Sequence, residues 1–357
     1  MSRLIAAVSG GVDSAAAAAR LRDDGHDVTA VHLILRDGAE PAAEDARRVA
    51  GALGIPFELW DLREAFQAQV LDNFAAEYAA GRTPNPCLVC NRTIKFGALL
   101  DRALAGGFDG LATGHYARLT RATDGAATLH RATHSAKDQS YVLSVLTQAQ
   151  LRHVWLPLGG STKDEVRAEA SARGLPVAAK SESMDLCFIP DGNTATWLEA
   201  RLGGRPGMIV DETGATLGSH DGTYHFTIGQ RKGLNIKRPA SDGEPRFVVG
   251  LDPDQRRVIV GSRAQLNVTE LVCSAATWAS GATPASPLDV GVQVRAHSGT
   301  HDCTVTPLAN GIVKVTLRTP IPGAAPGQTA AFYDGPAVLG SATIERTVQD
   351  NAADTAP

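Results

Sequence analysis

The sequence predicts an α/β domain on a parallel sheet, then a small mostly β domain, then a C-terminal β-barrel-like domain. Three observations predict it. Apolar strand signals alternate with helical signals from the N-terminus to about residue 115. The texture changes near Asp191-Gly192 to short β-rich runs. Those runs are punctuated by turn dipeptides: Asp221-Gly222, Asp242-Gly243, Asp252-Pro253, Asn310-Gly311 and Asp334-Gly335.

The elements follow in order. Leu4 to Val8 is a short apolar strand, and Ala15 to Arg22 reads as a helix ended near Gly25. Val28 to Leu35 is a second strand, and Glu40 to Leu53 a helix stopped by Gly54 with Pro56 behind it. Phe57 to Leu62 is a third strand, Glu64 to Ala80 and Arg92 to Ala105 are helical, and Gly110 to Thr113 begins another strand. Strands alternating with helices imply a parallel sheet covered on both faces, with ligands beyond the carboxyl ends of its strands. Farther on, Val258–Val260, Val290–Ala296, Ile312–Leu317 and Thr329–Phe332 read as strands, with a joint near Ala264–Leu271. The expected domains are 1–190, 191–265 and 266–349, with a disordered polar tail over 350–357.

Composition narrows the class. A hydrophobic fraction of 43% is ample for several cores. Five scattered cysteines make no disulfide framework, which points to a reducing, cytoplasmic setting. The N-terminus reads as a buried strand rather than a signal peptide, and no apolar run approaches the ~20 residues that span a bilayer. A net charge of −4 excludes a globally basic nucleic-acid coat but not a local basic surface.

Two motifs carry chemistry. Ser9-Gly-Gly-Val-Asp-Ser14 follows the first strand and opens the first helix. Its glycines let the backbone approach a phosphate, and the helix N-terminus offers N–H groups and partial positive charge. It lacks the Gly-Lys-Ser/Thr ending of a Walker loop and is not GxGxxG. The plain alternative is a tight strand–helix turn. The second motif is Cys87-Leu-Val-Cys90, the one CxxC in the chain. Such a pair can share a metal or cluster, form a disulfide, or depress a thiol pKa. Cys90 is expected at or just before a helix start, where the dipole favours thiolate. Pro84 and Pro86 fix an extended lead-in.

The first motif resembles that of PP-loop pyrophosphatases (adenine nucleotide alpha hydrolase-like), which cleave ATP between the α and β phosphates. Longer motifs narrow the resemblance: Thr83-Pro-Asn-Pro with Cys90-Asn91 and Ile94-Lys-Phe96, Thr113-Gly-His-Tyr116, Lys137-Asp-Gln-Ser-Tyr141 and Leu186-Cys-Phe-Ile189. Phe226-Thr-Ile-Gly-Gln-Arg-Lys-Gly-Leu234, and Pro326-Gly-Gln328 followed by Ala331-Phe-Tyr333, extend it toward the C-terminus. Together they resemble the tRNA-specific 2-thiouridylase family over nearly the whole chain. That resemblance implies that ATP, with Mg2+, adenylates O2 of the wobble uridine in tRNAs for Lys, Glu and Gln. A persulfide sulfur then displaces AMP.

By the resemblance, Cys187 carries the persulfide and Cys90 helps release its sulfur, with a Cys90–Cys187 disulfide as by-product. A cysteine desulfurase or a sulfur-relay protein would supply the sulfur. Many family members carry Asp where this chain has Cys87. Two readings stay open there: an acid–base thiol, or a [4Fe–4S] centre held by Cys87, Cys90 and Cys187. The nucleotide would lie on Ala7, Val8, Ser9, Gly10, Gly11, Val12, Asp13 and Ser14, with Leu33 and Gly114 near adenine and Asp13 as an indirect magnesium anchor. The tRNA positions implied are Asn85, Pro86, Cys87, His115, Lys137, Asp138, Gln139, Arg295 and Gln328.

The segment His225 to Arg263 adds a locally basic surface suited to a phosphate backbone, with Arg231, Lys232, Lys237, Arg238, Arg246, Arg256, Arg257 and Arg263 against Asp242, Glu244, Asp252 and Asp254. Cys273 and Cys303 read as ordinary buried residues. Competing readings are a non-catalytic tRNA-binding or iron–sulfur carrier protein, against which the intact motifs argue, and a small-metabolite PP-loop ligase, against which the long basic β region argues.

Overall fold

The computed structural model describes residues 1–181, 186–189, 191–236 and 243–349. Strands β1 (Arg3–Ala7), β2 (Asp27–Ile34), β3 (Phe57–Asp61) and β4 (Gly110–Ala112) are parallel. With β7 (Val154–Trp155) they form one sheet in the order β3-β2-β1-β4-β7. Leu4, Ile5 and Ala6 are buried, which is why β1 is a continuous apolar run: helices cover both faces of a parallel sheet. The helix Val12–Asp23 lays Ala15, Ala18 and Ala19 on the sheet, where small side chains permit close approach, and packs Ala16 and Ala17 against Tyr116, Leu158 and Val166. The chain leaves β1 toward β2 and β3, then returns to β4 on the other side. The loops after β1 and β4 therefore meet at the switch point where such sheets bind ligands.

Two helical segments differ from the sequence expectation. Residues 63–79 and 86–105 are each helical with an internal π stretch, at Gln67–Leu71 and Asn91–Leu99. The second begins at Pro86, not near Arg92, because the Asn85 side chain accepts from the Cys87 N–H at 3.0 Å and Pro occupies the first position. A hairpin of β5 (Ala117–Arg121) and β6 (Ala127–Arg131) was not legible in the sequence as read.

β8 (Gly207–Val210), β9 (Thr216–His220), β10 (Phe247–Asp252) and β11 (Arg257–Gly261) form a four-stranded sheet in the order β10-β11-β8-β9. The last six strands are β12 (Asn267–Trp278), β13 (Leu288–Gln293), β14 (His301–Pro307), β15 (Val313–Pro322), β16 (Thr329–Asp334) and β17 (Ala337–Gln349). They run in the order β12-β15-β14-β13-β16-β17, and β12 also pairs with β17, so the sheet closes into a barrel. Cys273 and Cys303 lie buried in it, each thiol pushed up to about 12, first by burial. The hairpin extends the barrel sheet through Ala337 opposite His130. Ala331, Tyr333 and Val338 share one core with Leu111, Leu129, Tyr141 and Leu143, so barrel and parallel-sheet domain are packed together. The tail 350–357, Lys237, Arg238 and Asp242 lie outside the described residues.

Candidate active site

The loop Ser9–Ser14 stands at the end of β1 with its shape enforced by packing. Gly10 has φ +77°, and a Cβ there would meet the Ala42 carbonyl oxygen at 2.5 Å. Ser14 Oγ accepts from the Ser9 N–H at 3.1 Å and donates to the Gly11 carbonyl at 3.0 Å, folding the loop over the helix start. Gly11 is the N-cap of Val12–Asp23, and no side chain caps that N-terminus. Its leading N–H groups are thus offered to an anion. Ala7 ends β1, and the Val8 N–H donates to the Val31 carbonyl at 2.9 Å. Val8 and Val12 are buried; the Val8 carbonyl faces His32 Nδ1 at 2.8 Å. Leu33 is half-buried on β2. A Cβ on Gly114 would lie 2.7 Å from the Ser14 nitrogen, so this glycine lets the loop after β4 touch the phosphate loop.

Sequence reading missed three groups here. Lys163 Nζ lies 2.6 and 2.7 Å from the two Asp13 carboxylate oxygens, and Tyr116 Oη donates to Asp13 Oδ1 at 2.7 Å. Lys180 Nζ donates to the Gly10 carbonyl at 2.9 Å and to Asp45 Oδ2 at 2.5 Å. These partners are 103 to 170 residues from the loop positions they touch, and no local pattern announces them. The capping box Thr162–Glu165, which starts the helix Lys163–Ala172, was the available signal.

The cysteines occupy unequal settings. Cys87, at the first turn of its helix, is half-buried. Cys90 is buried, and its thiol is pushed up to about 11, by burial first, with Lys95 opposing and Cys187 and Cys87 adding. This corrects the expectation of a dipole-favoured Cys90 thiolate: the residue at the helix N-terminus is Cys87, one turn earlier. Cys187 is exposed. Its neighbour Phe188 anchors it, packing edge-on against Phe74 at 5.5 Å and Trp197 at 5.3 Å in a cluster that also holds Cys90, Ile94 and Tyr224. None of the five cysteines, all among the described residues, is in a disulfide. Cys87 and Cys187 lie near enough to Cys90 to raise its pKa, but among the described residues no three His, Cys, Asp or Glu side chains are arranged to hold a metal ion.

The positions that the sequence resemblance assigns to tRNA separate into two kinds. His115 is half-buried, tilted against Phe96 at 5.9 Å with Nδ1 2.7 Å from Thr113 Oγ1. Burial, then Lys95, holds its pKa well below the usual histidine value, so the ring is neutral at pH 7. Pro86 is buried, Lys137 half-buried and Arg295 exposed, with a guanidinium N–H donating to the Gly323 carbonyl. Asp138 turns inward, whereas Gln139 is exposed and bonds back to the backbone. Asp138 accepts from Arg131 at 2.8 Å, from the Ala132 N–H at 2.9 Å and from Ser140 Oγ at 2.8 Å. Gln139 accepts from the Tyr116 N–H at 2.9 Å. Gln328 donates to the Thr83 carbonyl at 2.8 Å. Around that contact, Arg82 joins Glu77 at 2.7 Å to Glu345 at 2.6 Å, tying the CxxC lead-in to β17. A cleft of about 200 Å³ opens beside it, lined by Asn85, Leu88, Arg92, Thr277 and Thr343 among others.

A phosphate loop at the switch point of a parallel sheet defines a nucleotide-dependent enzyme of the PP-loop class. Family models agree along the chain: a tRNA methyl transferase HUP domain matches residues 2–191, a tRNA methyl transferase PRC-barrel domain 195–262, and an aminomethyltransferase beta-barrel domain 268–344. The chain is 55% identical to the tRNA-specific 2-thiouridylase MnmA of Acidothermus cellulolyticus, over 97% of this chain and 98% of that protein. It is 53% identical to the protein of that name from Mycolicibacterium vanbaalenii, over 96% and 99%. The chain belongs to the tRNA-specific 2-thiouridylase family. Among solved structures, the U34-tRNA thiolase NcsA from Methanococcus maripaludis with its [4Fe-4S] cluster is 16% identical with a TM-score of 0.35, covering 57% of this chain and 68% of that one.

Proposed function

We propose that this enzyme is an ATP-dependent tRNA sulfurtransferase that converts the wobble uridine of tRNAs for Lys, Glu and Gln to 2-thiouridine. Uridine O2 attacks the α-phosphorus of ATP lying on Ser9–Ser14, and the bond to the β-phosphate breaks, releasing pyrophosphate. Mg2+, carried with the polyphosphate, would be held through Asp13, whose carboxylate is one third exposed. The terminal sulfur of a Cys187 persulfide then attacks C2, and AMP leaves with O2. The Cys90 thiol gives up its proton to water as it attacks the Cys187 sulfur, breaking the S–S bond, leaving sulfur on the base and closing a Cys90–Cys187 disulfide that a thiol reductant reopens.

The observation that carries this reading is the pairing of unequal thiols. Cys187 is exposed, where a desulfurase or relay protein can load it, while Cys90 is buried in the cluster that holds the neighbouring Phe188, protected until sulfur is delivered. The unbonded cysteines suit a reducing cytoplasm. His115, Lys137, Arg295 and the Asn85–Cys87 lead-in are the positions that support tRNA contact. A three-cysteine [4Fe–4S] route would need Cys87 and Cys187 to close further on Cys90, since among the described residues no three such side chains are arranged to hold a metal ion. The test is thiolation of tRNA for Glu with ATP and a sulfide source, comparing wild type with Cys90→Ala and Cys187→Ala. Both variants should lose activity; wild-type rates in either would remove the persulfide mechanism. Iron and acid-labile sulfide in anaerobically purified active protein would favour the cluster route instead.

A further inference from the structure

The loop after β1 has the backbone of a phosphate site but not the lysine that a Gly-Lys-Ser/Thr loop carries within itself. A polyphosphate brings several full negative charges, and a helix N-terminus answers with only about half a positive one. We propose that Lys163 supplies the missing cation: its ammonium binds the pyrophosphate portion of ATP, and its pairing with Asp13 is the nucleotide-free position of the same side chain. The inference rests on Ser9–Ser14 being the ATP site.

Four observations point to this residue. Its Nζ is 2.6 and 2.7 Å from both oxygens of Asp13, the second residue of the helix whose N-terminus no side chain caps, so the ammonium already stands where phosphate oxygens would arrive. Its side chain is 12% exposed, so the ammonium is largely desolvated and strongly felt by an incoming anion. Its backbone is the first residue of Lys163–Ala172, fixed by reciprocal Thr162–Glu165 hydrogen bonds. An ammonium has three N–H donors, and Asp13 engages two, leaving one for phosphate before the side chain moves at all. When it does move, Tyr116 Oη still donates to Asp13 Oδ1 and keeps that carboxylate satisfied. The other lysine at the loop is a poorer choice: the Lys180 side chain is 42% exposed, so water screens its charge more, and its bonds to the Gly10 carbonyl and Asp45 brace the loop.

The test is calorimetric titration of the full chain with inorganic pyrophosphate in a metal chelator, with AMP as control. Lys163→Met should weaken pyrophosphate binding on the order of 10- to 100-fold, the size of a charged hydrogen bond, and leave AMP within about twofold. Lys163→Arg should retain most of the binding. Asp13→Asn, which frees the ammonium, should bind metal-free pyrophosphate as tightly as wild type or tighter. If Lys163 merely shaped the loop through Asp13, then Asp13→Asn would weaken binding as much as Lys163→Met, and adding Lys163→Met to Asp13→Asn would cost nothing more; either result overturns the proposal. Wild-type-like binding by Lys163→Met also overturns it. Should Lys163→Met lose its cooperative melt, Asp13→Asn decides alone, with weaker binding counting against. Failure of wild type to bind ATP, AMP or pyrophosphate would instead strike the assignment of the loop itself.

Discussion

Cys90 and Cys187 differ in what water can reach, and that difference orders their chemistry. Burial pushes the Cys90 thiol from 9.0 up to about 11, so at pH 7 it holds roughly 100-fold less thiolate than an unshifted thiol. Iodoacetamide at pH 7, followed by peptide mapping, should modify exposed Cys187 first and Cys90 at least ~10-fold more slowly. The Cys90 rate should climb as pH rises from 9 toward 11; equal rates at pH 7 would show that Cys90 is open in solution. The stability sign follows. Between those values the unfolded chain has lost the proton that the folded one keeps, so the buried thiol costs nothing below about pH 9 and destabilises as pH rises. Asp138 is a second case where environment decides. It faces Arg131, whose guanidinium lies 3.7 Å over the Tyr333 ring. Asp138→Asn should lower stability by about 1–3 kcal/mol in a thermal melt. Were Asp138 a tRNA contact alone, the melt would not move and only KM for tRNA would rise.

At the scale of elements, what was legible depended on whether the signal was local. The alternating strands and helices were legible because each is written in consecutive residues: Leu4–Ala6 as a buried strand, Gly54 in the left-handed region ending Glu40–Leu53. The phosphate loop and the CxxC were legible for the same reason. The start of helix 86–105 was displaced because the prolines were read as an extended lead-in, whereas Asn85-Pro86 is a cap followed by a first-position proline. The β5–β6 hairpin is local and its Asp124-Gly125 turn was an available signal, whereas the Lys163, Lys180 and Tyr116 contacts join distant parts of the chain. Gly10 shows how tightly one element constrains another. With φ +77° and the Ala42 carbonyl 2.5 Å from where its Cβ would be, Gly10→Ala must push the loop off the helix Glu40–Leu53. ATP binding by calorimetry should fall at least ~10-fold, while the melt shifts by only ~1–3 kcal/mol, the cost of one strained position.

At the scale of the whole molecule, the barrel acts on the active site as a wall as well as a surface. Tyr141 Oη donates to the Thr329 carbonyl at 2.9 Å, and Ser341 Oγ donates to the Ser144 carbonyl at 3.0 Å, both across the boundary between the parallel-sheet domain and the barrel. The Thr83 N–H donates to the Pro326 carbonyl at 2.8 Å, and Gln328 Nε2 to the Thr83 carbonyl at 2.8 Å, so the turn before β16 clamps the segment leading to Asn85, Pro86 and Cys87. The sequence resemblance implies that Gln328 touches tRNA; the geometry gives it the task of fixing the lead-in. The two make different kinetic predictions. Gln328→Ala removes one hydrogen bond worth about 1 kcal/mol and leaves the Thr83 carbonyl to water. If the clamp is what matters, kcat for tRNA thiolation should fall severalfold with KM nearly unchanged, because the Cys87–Cys90 helix loses its fixed approach to the base. Gln328→Glu, which keeps the length but loses the donor, should behave like the alanine variant. If Gln328 serves tRNA alone, KM should rise in both variants while kcat holds, and the carboxylate should be the worse of the two because it repels phosphate.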